Sequence, residues 1–176
     1  HFGREGIISP RNWYITQGKE QKKYIEIRYG EQAVKATGLL GLAPQEAQIT
    51  NFDKTLKAGT FFDRLDESSC LITDKMAELL GLGPGDVGKV EVQVFGKDLL
   101  VRGIVDATAF GNLRDLDNEP LTPADFQLSS MQALGPTEKV KMTIEEDGKS
   151  PEVRPFVHLA PQNVLIMPYE TLWAAG

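Results

Sequence analysis

Residues 70–106 read CLITDKMAELLGLGPGDVGKVEVQVFGKDLLVRGIVD, and the fold turns on how that stretch is parsed. It opens with an apolar run, Cys70-Leu71-Ile72, of the length of a short buried strand. Thr73 then offers a hydroxyl to the N–H groups of a helix start, and Asp74 puts negative charge in the first turn, where the helix dipole favours it. Met76, Leu79 and Leu80 recur at helical spacing and predict an apolar face. Gly81 predicts a left-handed C-terminal cap. Gly83-Pro84-Gly85-Asp86 has the composition of a turn. Val90, Val92 and Val94 alternate with Glu91 and Gln93, the pattern of a half-buried strand. Gly96-Lys97-Asp98 reverses the chain, and Leu99 to Val105 returns. The stretch is strand, short helix, tight turn, strand, hairpin, strand, and it carries no obvious chemistry.

Upstream, residues 6–16 mix apolar residues with Pro10 and Asn12 and read as a strand or loop edge. Trp13 and Tyr14 are adjacent, so in a strand they face opposite ways. Tyr24, Glu26 and Arg28 alternate with Ile25, Ile27 and Tyr29, which predicts a half-buried strand. Gly30-Glu31 turns it, and residues 32–40 read as the returning strand of a hairpin. Residues 44–57 predict a short helix or irregular turns, and residues 66–69 a polar break. Downstream, residues 107–118 read as loop. Thr122-Pro123 predicts the start of a helix, with Phe126, Met131 and Leu134 as its apolar contacts and Gly135-Pro136 as its stop. Residues 140–145, 153–159 and 163–167 read as strands, with a turn at Asp147-Gly148. Pro168-Tyr169 opens a last helix to Ala175. The sum is α+β: many short strands, mostly in hairpins, with three short helices.

The chain has 176 residues, a hydrophobic fraction of 41%, a charged fraction of 25% and a formal net charge of −6. That length fits one domain or two small lobes, at roughly 100–200 residues per domain. An acidic chain without a basic stripe is a poor match for nucleic acid, whose phosphates demand clustered Lys and Arg. The one dense basic patch, Lys19, Lys22 and Lys23, is interrupted by Glu20 and reads as a solvated turn. No run approaches the ~18–20 apolar residues of a membrane span. The opening His1-Phe2-Gly3 lacks the regions of a signal peptide, and the chain reads as an excised piece of something longer.

Candidate chemistry is sparse. Cys70 is the single cysteine, and in its apolar run it reads as a small hydrophobe unless His158 reaches it in the fold. His158 and His1 are the two histidines, too few for the usual zinc site. His158 sits in an alternating run with Phe156 and reads as a partly buried strand residue. Asp115-Leu116-Asp117-Asn118-Glu119 lacks the glycine and bidentate glutamate of a calcium loop and reads as surface. Glu145-Glu146-Asp147-Gly148 reads as a hairpin tip. Gly81, Gly83 and Gly85 follow a helix, the wrong polarity for a phosphate cradle. These readings predict no catalytic, cofactor-binding or metal residues and no cofactor.

Several motifs in succession do carry a resemblance. Gly59-Thr60-Phe61-Phe62 and the acidic Asp66-Glu67 precede the strand Cys70-Leu71-Ile72-Thr73. Met76-Ala77-Glu78-Leu79-Leu80-Gly81 gives a helix ending in a large apolar pair and glycine. Val87-Gly88-Lys89 opens the next strand, and Leu100-Val101-Arg102-Gly103-Ile104-Val105 follows. Finally Val164-Leu165-Ile166-Met167 runs into Pro168-Tyr169-Glu170-Thr171-Leu172. In this order and spacing, residues 36–106 and 163–172 resemble the extracytoplasmic core domain of MacB-like, FtsX-type ABC transporter permeases. Thr60 stands where that family often has Arg, and residues 107–162 are longer than its pattern.

The resemblance implies two lobes: a larger α/β porter-like lobe from residues 1–35 and 107–176, and a smaller β-rich lobe with one short helix from residues 36–106. It implies a place on the extracytoplasmic, periplasmic face of the plasma membrane, between transmembrane helices, with no enzymatic activity of its own. Its partners would be a second permease copy, a cytoplasmic ATPase reached through the helices, and a periplasmic adaptor or cargo protein. The work would be export, lipoprotein release or regulation of cell-wall hydrolases. The helix, Leu80-Gly81-Leu82-Gly83-Pro84-Gly85-Asp86 and the strand after it also resemble double-psi β-barrel modules of larger enzymes, and a generic extracytoplasmic binding or adhesion module is a third reading.

Overall fold

Nine strands join in one mixed sheet in the computed structural model, which describes residues 9–16, 24–125 and 157–175. The strands are β1 (Arg11–Ile15), β2 (Ile25–Tyr29), β3 (Gln32–Ala36), β4 (Gly38–Leu42), β5 (Leu56–Gly59), β6 (Ser69–Thr73), β7 (Glu91–Val94), β8 (Lys97–Val105) and β9 (Val164–Pro168). The helices are α1 (Glu46–Thr50), α2 (Asp74–Leu80), α3 (Ala107–Asn112) and α4 (Tyr169–Trp173). The sheet runs β1-β4-β9-β6-β8-β7-β2-β3, with β5 pairing β8 beside β7. The β4–β9 and β6–β8 pairs are parallel, and the other pairs are antiparallel. The chain is α+β.

The central strands β4, β9 and β6 are buried along their whole length. Their period of two therefore sends side chains into two separate cores. Leu39, Cys70, Ile72, Leu165 and Met167 meet Ile25, Ile27, Met76, Leu80, Val92 and Val94 on one face. Leu40, Leu42, Leu71, Val164 and Ile166 meet Phe52, Phe61 and Phe110 on the other. Phe52 is fully buried between Phe61 and Phe110, each ring centroid 5.3 Å away. Burying such a side chain contributes about 1.5–3 kcal/mol.

The 70–106 stretch folds much as its pattern predicts. The Thr73 hydroxyl accepts from the Met76 amide at 3.3 Å. Gly81 caps α2 with φ of 70°. Residues 84–86 form a single 3-10 turn in which the Gly83 amide donates to the Asp86 carboxylate at 2.8 Å. A phosphate loop would aim that amide at an anion instead. Gly103 lies opposite Gly59, where an added Cβ would come within 2.9 Å of the Ala58 carbonyl. The motif glycine thus lets β5 close on β8.

Five expectations are corrected. Residues 32–40 do not form one strand: the chain bends at Thr37, and β4 leaves the hairpin to pair with β1 and β9. Leu79 is 66% exposed, and Ala77 takes its place on the buried face of α2. The reversal before β8 is Phe95-Gly96, and Lys97 already pairs with Val94. Residues 107–112 are helical because the Asp106 carboxylate caps them, accepting from the Ala109 amide at 3.0 Å. Thr122 and Pro123 start no helix within the described residues, because the Leu159 amide donates to the Pro123 carbonyl and Ala124 bridges His158. The expected contacts of that helix at Phe126, Met131 and Leu134, its stop at Gly135-Pro136, the strand over 140–145, most of 153–159 and the tip Glu145-Glu146-Asp147-Gly148 lie outside the described residues. So do His1, the basic patch of Lys19, Lys22 and Lys23, and most of residues 1–10.

Candidate functional site

β1 lies at one end of the sheet, and its register decides what it offers. The Thr16 amide donates to the Thr37 carbonyl, so the hydrogen-bonded pairs down the ladder are Tyr14 with Leu39 and Asn12 with Gly41. The backbone N–H and C=O groups of Arg11, Trp13 and Ile15 therefore point away from β4. No described strand pairs with that outer side.

Two concavities flank this edge, one on each face of the sheet. The first is a groove of about 550 Å³ lined by Asn12, Trp13, Tyr14, Phe95, Leu172 and Trp173 among others. Its aromatics are not core residues: Trp13 is 50% exposed, Tyr14 43%, Phe95 48% and Trp173 74%. Among the described residues no charged side chain lines it. The second holds about 220 Å³ and is lined by Arg11, Trp13, Asp115, Glu119 and His158 among others.

The sequence builds the groove in three ways. Asn12 lies over Gly41, where an added Cβ would fall 1.7 Å from the Asn12 Oδ1 and 3.2 Å from Leu172. That gap lets α4 settle on β1, and Asn12 Nδ2 donates to the Tyr169 carbonyl at 3.1 Å. Phe95 and Gly96 form the two-residue turn between β7 and β8 with φ of 51° and 75°. Positive φ at both positions is the type I′ signature, normally filled by Asn, Asp or Gly. A bulky residue there carries strain of about 1–2 kcal/mol. Phe95 is held nonetheless, edge-to-face with Tyr14 at 5.8 Å and 83°. Finally, Lys97 Nζ donates to the Ala174 carbonyl at 2.7 Å and pins the end of α4 beside the turn.

The second concavity is anchored by a buried ion pair. Glu46 in α1 is fully buried and accepts from Arg11 Nε at 2.9 Å, Arg11 Nη2 at 2.8 Å and Ser9 Oγ at 2.9 Å. Arg11 also reaches Asp115 at 3.5 Å. Asp115 closes its own loop by accepting from the amides of Asp117 and Glu119 at 2.9 and 3.0 Å. His158 Nδ1 donates to the Thr122 carbonyl, and its Nε2 lies 3.5 Å from Glu119.

The residues weighed for chemistry from sequence do not converge. Cys70 is fully buried in the core, and burial pushes its thiol up to about 12. No hydrogen bond or ion pair joins it to His158 among the described residues. There, too, no group of three or more His, Cys, Asp and Glu is placed to hold a metal ion. No described helix is long and apolar enough to cross a membrane.

A separate charged cluster ties two helix starts together. Lys57 in β5 donates to Asp74 at the start of α2 and lies 3.5 Å from Asp106, the cap of α3. Partial burial would raise the Asp74 carboxyl, but the bonds from Lys57 and the Ala107 amide outweigh it and hold it low. The Ala109 amide, seconded by Lys57, holds Asp106 low. The bond to Asp74 raises Lys57. Across the sheet, Arg102 reaches Asp63, Glu67 and the Phe61 carbonyl and fastens residues 61–67 to β8.

The sequence signalled the groove only through the adjacency of Trp13 and Tyr14 and the terminal Trp173. Phe95 was missed; the signal was an aromatic directly before a turn glycine.

No protein-family model and no curated protein matches the chain. Among solved structures it is similar to the extracellular domain of the noncanonic ABC-type transporter YknZ from Gram-positive bacteria, with 25% identity and a TM-score of 0.40. The match covers 48% of this chain and 45% of that one, less than half the length of either.

Proposed function

We propose that this chain is the extracytoplasmic domain of a MacB-like, FtsX-type ABC transporter permease, which passes ATP-driven motion of transmembrane helices to the outer side of the membrane. In this reading it has no chemistry of its own, works beside a second permease copy, and answers to a cytoplasmic ATPase. An adaptor or cargo protein would meet it outside the membrane.

The observation that carries the reading is the meeting of the two ends of the described chain. Asn12 in β1 bonds to Tyr169 at the start of α4, and α4 packs on β1 and β4. A body displaced by two flanking membrane helices needs attachment points that lie together and a rigid interior between them. The two cores on either face of the sheet supply that rigidity, since close-packed interiors transmit strain. The order of motifs adds support: β6, α2, β7, β8, β9 and α4 succeed one another as the resemblance requires.

The test uses the full-length protein in liposomes, spin-labelled at Leu116→Cys. Leu116 is 89% exposed and the native Cys70 is buried, so within this chain the label goes to position 116, with any exposed cysteine elsewhere in the full-length protein replaced by serine. The distance between labels in paired copies is expected to shift between nucleotide-free and ATP-bound states. An unchanged distance distribution in an assembly that hydrolyses ATP would overturn the proposal, as would a full-length protein that does not sit in the membrane.

A further inference from the structure

We propose that β1 receives an extended segment of a partner protein, added to the sheet as a further strand, whose side chains alternate between apolar and basic. The inference stands on β1 and the side chains that flank it, so losing the transporter reading would leave it untouched.

The backbone supplies the first half of the argument. Arg11, Trp13 and Ile15 turn their N–H and C=O groups outward, and an extended peptide satisfies such a row by strand addition. Natural edges that must stay unpaired carry inward charges, lysines or bulges. β1 pairs with β4 over five consecutive residues without a register shift. Its one charged residue, Arg11, is committed to Glu46 through two bonds of 2.8 and 2.9 Å.

The side chains supply the second half. Successive residues of an added strand go to opposite faces. On the face shared by Asn12 and Tyr14 they would meet Phe95, Leu172 and Trp173, an uncharged aromatic wall. Exposed aromatic clusters of this kind are typical anchors of interfaces. On the face shared by Arg11 and Trp13 they would meet Asp115 and Glu119. Since Glu46 already matches the Arg11 charge, these carboxylates leave the described residues of that side net negative, the complement of Lys or Arg. One edge with an aromatic face and an acidic face selects for alternation. The strained φ of Phe95 fits the same purpose, because strain kept at an exposed position marks a site where geometry serves binding.

The test is direct because both tryptophans of the chain, Trp13 and Trp173, line the groove. The probe is an acetylated, amidated hexapeptide alternating lysine and leucine, titrated into the chain while tryptophan emission is read. Emission is expected to shift saturably, and amide exchange at Trp13 and Ile15 to slow. A peptide with glutamate for lysine should bind at least tenfold more weakly, and Glu119→Lys should reverse that preference. N-methylating the peptide amides that face β1 should abolish binding with every side chain retained. Absence of saturable change at millimolar peptide, equal binding of the glutamate peptide, or tolerance of N-methylation would each overturn the proposal. So would a concentration-dependent dimer of the peptide-free chain in ultracentrifugation that protects Trp13 and Ile15, which would assign the edge to a second copy.

Discussion

β1 and β3 are five-residue strands at opposite ends of one sheet, and they meet their surroundings in opposite ways. β3 returns from β2 through Gly30-Glu31, so Tyr29 and Gln32 form the closing pair and the outward backbone belongs to Ala33 and Lys35. α2 packs on β3 and takes Val34 into the core. The Lys35 ammonium lies 4.2 Å over the Tyr24 ring. A short, lysine-bearing, helix-covered strand is the usual means of keeping an edge from pairing. β1 is equally short and has α4 packed against it, but it carries no lysine. Its charge is spent inward on Glu46, and its flanks carry Trp13, Tyr14, Phe95 and Trp173. Edge strands of the same length thus differ by what their side chains are committed to.

The largest expected break in this contrast comes from Arg11. Arg11→Ala leaves the Glu46 carboxylate buried without its cation and is expected to lower stability by about 3–5 kcal/mol, read from the urea unfolding midpoint. A loss under about 1 kcal/mol would mean that the pair does not anchor β1. Gly41→Ala comes next. The new Cβ displaces Asn12 and crowds Leu172, with an expected loss of about 1–3 kcal/mol and a shift in tryptophan emission as α4 moves. Unchanged stability and emission would contradict the close contact of β1, β4 and α4.

Phe95 gives a smaller effect of opposite sign. In a Tyr14→Ala background, where the ring contact is gone, Phe95→Asn is expected to stabilise by about 1 kcal/mol by relieving the positive φ. Stability that falls there would remove the strain from the account. The acid cluster of Asp74 and Asp106 is an internal reference, since neither carboxylate belongs to β1 or β3. Asp74 and Asp106 are held low in the fold, so each contributes stability above its unfolded pKa of about 4 that is lost as pH falls through the folded value. The urea midpoint should drop on acidification below about pH 4, and less steeply in Lys57→Met. Lys57, being raised, contributes below its unfolded value of 10.5 and loses that contribution above it. The smallest effect is Lys35→Ala on β3, expected within about 0.5 kcal/mol of the parent. A large loss there would erase the contrast between the edges.

Local chemistry was legible in the sequence; long-range partners were not. The Thr73 cap, the Gly81 stop and the valine alternation of β7 follow from neighbours within a few residues, and they appear as read. Leu79 misled because helical spacing alone cannot choose between it and Ala77; the position of β3 under α2 decides. Residues 32–40 misled for a similar reason. The run QAVKATGLL holds no proline, and nothing local shows that Thr37 bends and hands the chain to β1 and β9. The groove was hardest to see. It joins residues 12–14, 95 and 172–175, and no local pattern connects them. The asparagine over Gly41 that makes them neighbours is a contact between strands. Buried Glu46 was invisible for the same reason, since its partner Arg11 is 35 residues away.

Among the described residues the outer side of β1 is unpaired, and amide hydrogen exchange along that strand reads this most directly. Asn12 and Tyr14, bonded into β4, should exchange slowly, while Arg11, Trp13 and Ile15 exchange at least a hundredfold faster in the peptide-free chain. Uniform protection across residues 11–15 would contradict it.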